Sequence, residues 1–404
     1  MLYVETPTKV LNPVMHEIMG ETAFTFLAKV NELRSKGRDV VSFGIGQPDF
    51  PTPLHIREAA KKALDEGFTG YTETAGIPEL REAISEYLSR YGKVSPNEVI
   101  VTTGAKTAIF IGLLAYLRPG DELLIPDPSY YAYSQIAKVA GARPVFVPMK
   151  FEGNEGFSLD IDEIEARITS KTRGIVINNP HNPTGAVFDK DQVEAIMEIA
   201  RKHNLIVFVD EIYDNFLYGE TGFKSFLSFD DWRDHVVYVN GFSKTFSMTG
   251  WRLGYLVARK EVIPRLLDLA VSVYSCACSF AQKAGVEALR GDWTPVKEMI
   301  NEFERRAKRL YEILQEAPGI EAYMPKGAFY MFPRVKGLLE RSGLDVHKLV
   351  EKLLYEYDVL VLPGTSFPER VGEDFVRISF ATSMSDIEKG ASRIVKAAKD
   401  LYSG

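Results

Sequence analysis

From residue 99 to residue 258 the chain repeats one pattern: a short apolar run, a turn, a helix-length amphipathic stretch, and another apolar run. The apolar runs fall at 99–102, 123–126, 144–147, 174–178, 205–209, 236–239 and 255–258. Helical patterns fall between them at 106–116, 130–140, 161–168 and 190–202. Runs of this length are strands, and their continuous Val/Ile/Leu character marks strands covered on both faces. Strands separated by such helices form βαβ units. The pattern therefore predicts an α/β fold whose large domain holds a mostly parallel seven-stranded sheet flanked by helices.

The flanks read differently. A helical pattern at 23–35 follows Asn12-Pro13 and stops at Gly37, and a short strand follows at 40–43. Two more helices are expected at 56–66 and 78–90, the second opened by Pro78, which suits a first helical turn. Beyond Pro295 come a long amphipathic helix at 296–314, strand-like pieces at 329–333, 359–361 and 375–379, and a final helix at 385–402. This is an α+β pattern. The expected organisation is an N-terminal arm and part of a small domain at 1–50, a large domain at 51–294 and a small C-terminal domain at 295–404, so that the smaller α+β domain is built from both chain ends.

Composition removes several function classes. A chain of 404 residues with net charge −7 has room for two or three domains and lacks a clustered basic footprint for nucleic acid. The apolar runs are strand-length, far below the roughly 20 residues of a membrane span. The N-terminus has no basic-then-apolar signal pattern. Cys276 and Cys278 are the two cysteines, and the six histidines are scattered, so neither a disulfide framework nor a metal site is expected. A cytoplasmic enzyme is the expectation.

Open parallel sheets bind ligands beyond the carboxyl ends of their strands. Three groups fall there: Asn178 to Gly185 after one strand, Asp210-Glu211-Ile212-Tyr213 after the next, and Ser243-Lys244 after the third. Shared strand direction brings them to one crevice. Thr103-Gly104-Ala105-Lys106 opens a helix after the first strand, and a helix N-terminus presents free N–H groups to a phosphate. With Ser243 and Arg252 it makes a phosphate cup. A lysine there can form a Schiff base once its amine is neutral. Asp210 at the end of an apolar strand needs a cationic partner if it is buried. The loop from Gly44 to Pro51, with two glycines and two prolines, lets backbone approach a ligand. Taken singly, each feature has an ordinary structural reading: a surface Ser-Lys-Thr, a strand-end carboxylate, a Gly-Ala turn. Neither G-x-x-x-x-G-K nor G-x-G-x-x-G is present, which argues against nucleotide-loop and dinucleotide chemistry.

The series N-P-x-N-P-T-G at 179–185, D-E-x-Y at 210–213 and S-K-x-F-x-x-x-G-x-R-x-G at 243–254 resembles the class I, fold type I, pyridoxal-phosphate aminotransferases, of the aspartate aminotransferase-like kind. The resemblance runs over essentially the whole chain. It implies that Lys244 is the Schiff-base lysine and Asp210 the partner of the pyridine nitrogen, with Tyr213 and Asn182 on the ring hydroxyl oxygen. Gly104, Ala105, Ser243 and Arg252 match phosphate-binding positions. Tyr130 falls where the family stacks an aromatic on the ring. Arg377 matches the clamp on the substrate α-carboxylate, and Gly46 the loop glycine beside it. Tyr71 matches a tyrosine that reaches the neighbouring subunit's phosphate, which implies a homodimer.

The resemblance further implies a ping-pong exchange between an L-amino acid and a 2-oxo acid, with the freed lysine carrying the α-proton. Lys106, beside the phosphate turn, matches a lysine that contacts the side-chain carboxylate of acidic substrates. Aspartate or glutamate as donor and 2-oxoglutarate as acceptor are therefore expected. Segment 273–278 departs from the Ser/Thr-rich sequence of that subgroup. The aromatics Phe24, Phe26, Tyr71, Tyr130, Tyr274 and Phe329 leave an aromatic or broad-specificity pocket as the alternative. A β-lyase on the same scaffold is a second alternative, and an aminotransferase-like regulator would need an extra DNA-binding module.

Overall fold

A computed structural model describes residues 11–367 and 371–403, so the first ten residues of the expected arm and residues 368–370 and 404 of the expected C-terminal unit lie outside it. The central sheet contains, in chain order, β1 Val99–Thr102, β2 Glu122–Asp127, β3 Arg143–Pro148, β4 Thr172–Asn178, β5 Ile206–Asp210, β6 Val236–Gly241 and β7 Gly254–Val257. Their spatial order is β1-β7-β6-β5-β4-β2-β3. The four pairings among β6, β5, β4, β2 and β3 are parallel. β7 runs antiparallel to both neighbours. All seven expected strands are present, displaced by no more than two residues.

The register fixes the site. Asn178 pairs with Asp210, and Asp210 with Val239, so the last residues of β4 and β5 are level at one edge. β7 enters the sheet from that same edge: Gly254 is level with both Thr102 and Gly241. The single antiparallel strand thus delivers Arg252, two residues upstream, beside the turns that follow β1 and β6. Only glycine fits at 254, because a Cβ there would stand 2.5 Å from the Ala105 nitrogen.

Apolar cores cover both sheet faces. One includes Val101, Leu124, Ile175, Val207 and Tyr238, and the other Ile100, Leu123, Val176, Phe208 and Val237. These are alternate residues of the same strands, as the period of two demands. A third cluster joins Val30, Val41 and Phe43 near the chain start to Leu310, Val359, Ile378 and Ile394 near its end. There Val41–Ser42 pairs in parallel with Val359–Leu360, and Val376–Ser379 pairs with Tyr330–Met331 and Leu362–Pro363. Helix Thr294–Leu314 buries Val296, Met299, Phe303, Ala307, Leu310 and Leu314, spaced three and four apart on one stripe.

Among the described residues five α-helices escaped the sequence reading: the single turn Trp232–His235, and Ile263–Tyr274, Ser279–Arg290, Lys336–Ser342 and Val346–Tyr357. Ser279–Arg290 buries small residues, Ala281, Ala284, Gly285 and Ala288. This is a close-packing face without a strong apolar stripe. A Cβ at Gly285 would stand 2.7 Å from a Leu253 methyl. In Ile263–Tyr274, Pro264 occupies the first turn, where it is tolerated, and does not act as a breaker. Helix Ala132–Val139 starts two residues later than expected, which leaves Tyr130 in the loop.

Candidate active site

A cavity of about 580 Å³ opens at the sheet edge where β1, β4, β5 and β6 end. That size suits a cofactor with a small substrate. Of the expected residues, Gly46, Ala105, Lys106, Tyr130, Asn182, Asp210, Tyr213, Ser243, Lys244, Arg252 and Arg377 line it. Gly104 sits just behind. Its φ of +92° is a backbone glycine tolerates, and a Cβ there would collide with the Arg252 guanidinium. Tyr71 is not brought to this cavity; it is 93% exposed on the surface. Among the suggested pocket aromatics only Phe24 and Tyr130 line the cavity. Phe329 is buried core, while Tyr274 is half-buried and donates to the Val101 carbonyl at 3.0 Å. Cys276 and Cys278 are free and half-buried, and no residue of 273–278 reaches the cavity.

Lys244 follows β6 in a turn, and its Nζ donates to the Gly46 carbonyl at 2.7 Å. Burial pushes its amine down to about 8; Glu21 works against this, while Arg377 and Arg252 add to it. Gly46 is required for this approach, since a Cβ there would overlap the Tyr330 hydroxyl. Asp210 is buried, accepts from the Tyr133 hydroxyl at 2.8 Å and from the Ile212 amide at 3.1 Å, and is pushed up to about 6 by desolvation. A carboxyl group in that state gains from a cationic N–H donor, which returns it to the ionised form. Tyr213 and Tyr330 share a hydroxyl–hydroxyl bond of 2.9 Å. Asn178 holds the floor in register: its amide donates to the Asp210 carbonyl at 2.9 Å, and its oxygen accepts the Asn182 amide at 2.8 Å.

At one end the N-terminus of helix Ala105–Tyr116, Ser243 and Arg252 face the cavity. Arg252 holds a left-handed φ of +53° and donates to the Thr249 carbonyl at 2.8 Å. A non-glycine residue in that conformation is strained, and such residues concentrate at functional sites. At the other end Arg377 is buried, donates to the Gly44 carbonyl at 2.5 Å and to Asn182 Oδ1 at 3.3 Å, and lies 4.6 Å from the Tyr330 ring. Its Nε is buried with no hydrogen-bond partner among the described residues. Two anion receptors thus share one cavity with a depressed amine and a buried carboxyl group.

The model for aminotransferase class I and II matches residues 38–394. The chain belongs to this aminotransferase family. An aspartate aminotransferase of Sulfurisphaera tokodaii is 49% identical over 94% of this chain and 95% of its own length. The aspartate aminotransferase of Thermus thermophilus, solved with maleate, superposes with a TM-score of 0.89 at 35% identity, covering 96% of this chain and 99% of that one. An aromatic aminotransferase from Pyrococcus horikoshii gives 0.85 at 41% identity, covering 92% and 99%.

The cofactor of this aminotransferase is pyridoxal 5'-phosphate, and the residues present fit it. The Gly104-Ala105 cradle with Ser243 and Arg252 suits a dianionic phosphate, and Asp210 suits a protonated ring nitrogen. If Lys244 captures the cofactor, its depressed amine is expected to make loading pH-dependent. With a value of about 8, roughly a tenth of the amine is neutral at pH 7, against fewer than about one in a thousand for an ordinary lysine. The group loses its proton as pH rises, so capture of the cofactor by cofactor-free protein accelerates about tenfold per unit up to pH 8 and then levels. Stopped-flow absorbance checks this; a rate still climbing at pH 10 places the amine in the ordinary lysine range.

The sequence reading missed Glu21, Tyr133 and Tyr330, all on the cavity wall. Tyr133 and Tyr330 lay inside an expected helix and strand, and their polar tips are revealed only by partners 77 and 117 residues away. Among the described residues no cluster of three His, Cys, Asp or Glu side chains suits a metal, and no helix is long and apolar enough to cross a membrane.

Proposed function

We propose that this aminotransferase takes L-aspartate or L-glutamate as amino donor and 2-oxoglutarate as acceptor. The observation that carries this is the lining of one cavity: Arg377 and Lys106 both line it, together with Lys244 and Asp210. A buried arginine and a half-exposed lysine together suit a substrate with two carboxylates. The similarity to aspartate aminotransferases of Sulfurisphaera and Thermus supports the same reading.

In this proposal Arg377 binds the substrate α-carboxylate through its guanidinium and so fixes the α-carbon against Lys244. Lys244 Nζ, neutral, takes the α-proton and carries it onward. Asp210, held by Tyr133 and the Ile212 amide, keeps the ring nitrogen protonated. Pyridoxal phosphate, when bound, supplies the electron sink that stabilises charge at the α-carbon. Tyr213, Asn182 and Tyr130 orient the ring, while Gly104, Ala105, Ser243 and Arg252 hold the phosphate.

The exposed Tyr71 supports a homodimer in which it completes the neighbouring site. One apolar cluster joins residues 30–43 to 299–398 and also takes in Ile212, Tyr213, Phe216 and Tyr218; the joining of the chain ends supports a small domain made of both, resting on a large domain at 51–294. A cytoplasmic location completes the proposal. A second reading, acceptance of aromatic substrates, is favoured by Phe24, 63% exposed in the cavity wall, and Tyr130 beside it.

The test is the visible spectrum of purified protein, followed as single amino acids are added. Aspartate or glutamate is expected to bleach the cofactor band and 2-oxoglutarate to restore it. Bleaching by aromatic or alkyl amino acids alone would discard the acidic-substrate reading, and release of pyruvate and ammonia would reassign the chemistry as elimination.

A further inference from the structure

Six charged side chains line the cavity, and five of them have places in the proposal above: Lys106, Asp210, Lys244, Arg252 and Arg377. Glu21 has none. It stands at the cap position of helix Thr22–Ser35, yet its side chain makes no cap bond. Instead Oε2 lies 3.2 Å from Lys106 Nζ, which also donates to the Tyr131 hydroxyl at 3.2 Å. The Lys106 ammonium lies 5.5 and 5.3 Å from the Tyr130 and Tyr131 rings. The segment leading to Glu21 is pinned, because the Met19 amide donates to Gln135 Oε1 at 2.9 Å. The pair is half-exposed, at 26% for Glu21 and 45% for Lys106, so it exchanges partners at modest cost.

We propose that Glu21 sets the discrimination between dicarboxylic and monocarboxylic substrates by competing with the substrate's distal carboxylate for Lys106. The inference rests on the acidic-substrate reading of Lys106. A substrate with a neutral side chain leaves the Glu21–Lys106 pair intact. A dicarboxylate must displace the Glu21 carboxylate or place a second anion beside it, where like charges repel. Glu21 therefore weakens dicarboxylate binding while leaving monocarboxylates untouched, and it widens the range of side chains the site admits. The same carboxylate also acts on Lys244 and Arg377 through space. Any such general field weakens every carboxylate ligand alike, so selectivity separates it from competition at Lys106.

The test uses the cofactor-loaded protein and two unreactive ligands, maleate and 3-phenylpropionate, titrated by the change in visible absorption. E21Q is expected to bind maleate about three- to tenfold more tightly, with 3-phenylpropionate within about twofold of the parent, as a half-exposed ion pair allows. The gain is expected to vanish when Lys106→Met is the background. An intact cofactor band and unchanged 3-phenylpropionate binding certify the fold. Unchanged or weaker maleate binding in E21Q, while Lys106→Met alone weakens it, overturns the role of Glu21 and leaves the acidic-substrate reading standing. Maleate binding indifferent to both substitutions overturns both. Equal tightening of the two ligands by E21Q overturns the competition.

Discussion

Replacing Lys244 with alanine is expected to abolish the transamination cycle, lowering turnover by at least about four orders of magnitude, because the proposed assignment asks one amine to hold the cofactor and to move the α-proton. No other group in the cavity can substitute. Lys106 is the other lysine on its wall, and it is tied to Glu21 and Tyr131. The Lys244 amine is positioned by the Gly46 carbonyl and depressed to about 8 by burial, whereas Lys106 sits at the half-exposed mouth. The substitution removes a cation that burial disfavours, so the fold is expected to survive. Thermal unfolding should shift by no more than a few degrees. The measurement is turnover with L-aspartate and 2-oxoglutarate, alongside the visible spectrum. The alanine variant should still bind the cofactor through the Gly104 turn and Arg252 but with a shifted band. Turnover near the parent level would refute the assignment of Lys244.

How much of this was legible without coordinates depends on whether a residue's role follows from chain order. Asn182, Asp210 and Lys244 each follow an apolar strand directly, so strand direction alone brings them to one edge. Arg252 was expected in one phosphate cup with Ser243 and the Gly104 turn; what chain order did not show is that β7 runs against its neighbours, and this reversal is what carries Arg252 there. Glu21 was invisible because its partner lies 85 residues away on another element, and nothing in a glutamate before a helix announces a side chain that declines to cap it. Tyr133 was hidden by the same non-locality. Helix Ser279–Arg290 was overlooked for a different reason: its packing face is made of alanine and glycine, whose burial stabilises through close approach to Leu80 and Leu253 rather than through a periodic apolar stripe. Tyr71 is 93% exposed, so the role that the resemblance gave it rests on the proposed homodimer.

Arg377 is the position where loss should be indifferent to the side chain of the substrate. Its guanidinium is buried, held below its usual value by desolvation, and lies 4.6 Å from both the Tyr330 and Phe367 rings. Gly44 and Asn182 accept from its two terminal nitrogens, which fixes the plane of the guanidinium at the cavity wall. A preorganised fork of this kind binds a carboxylate in two parallel bonds and loses little freedom in doing so. Breaking a buried charge pair costs roughly 3–5 kcal/mol, or about two to four orders of magnitude in kcat/KM. Arg377→Ala is expected to show that loss with aspartate, alanine and phenylalanine alike, while cofactor affinity stays within about threefold, because the loss removes only the carboxylate clamp. Alanine also empties the slot between two rings, so Arg377→Lys is the companion variant. It retains a charge without the planar fork, and an intermediate loss of about ten- to a hundredfold, again uniform across substrates, is expected. Steady-state kinetics over the three donors decides the matter. A penalty confined to aspartate would move the α-carboxylate elsewhere and make Arg377 a reader of the side chain, a role assigned above to Lys106.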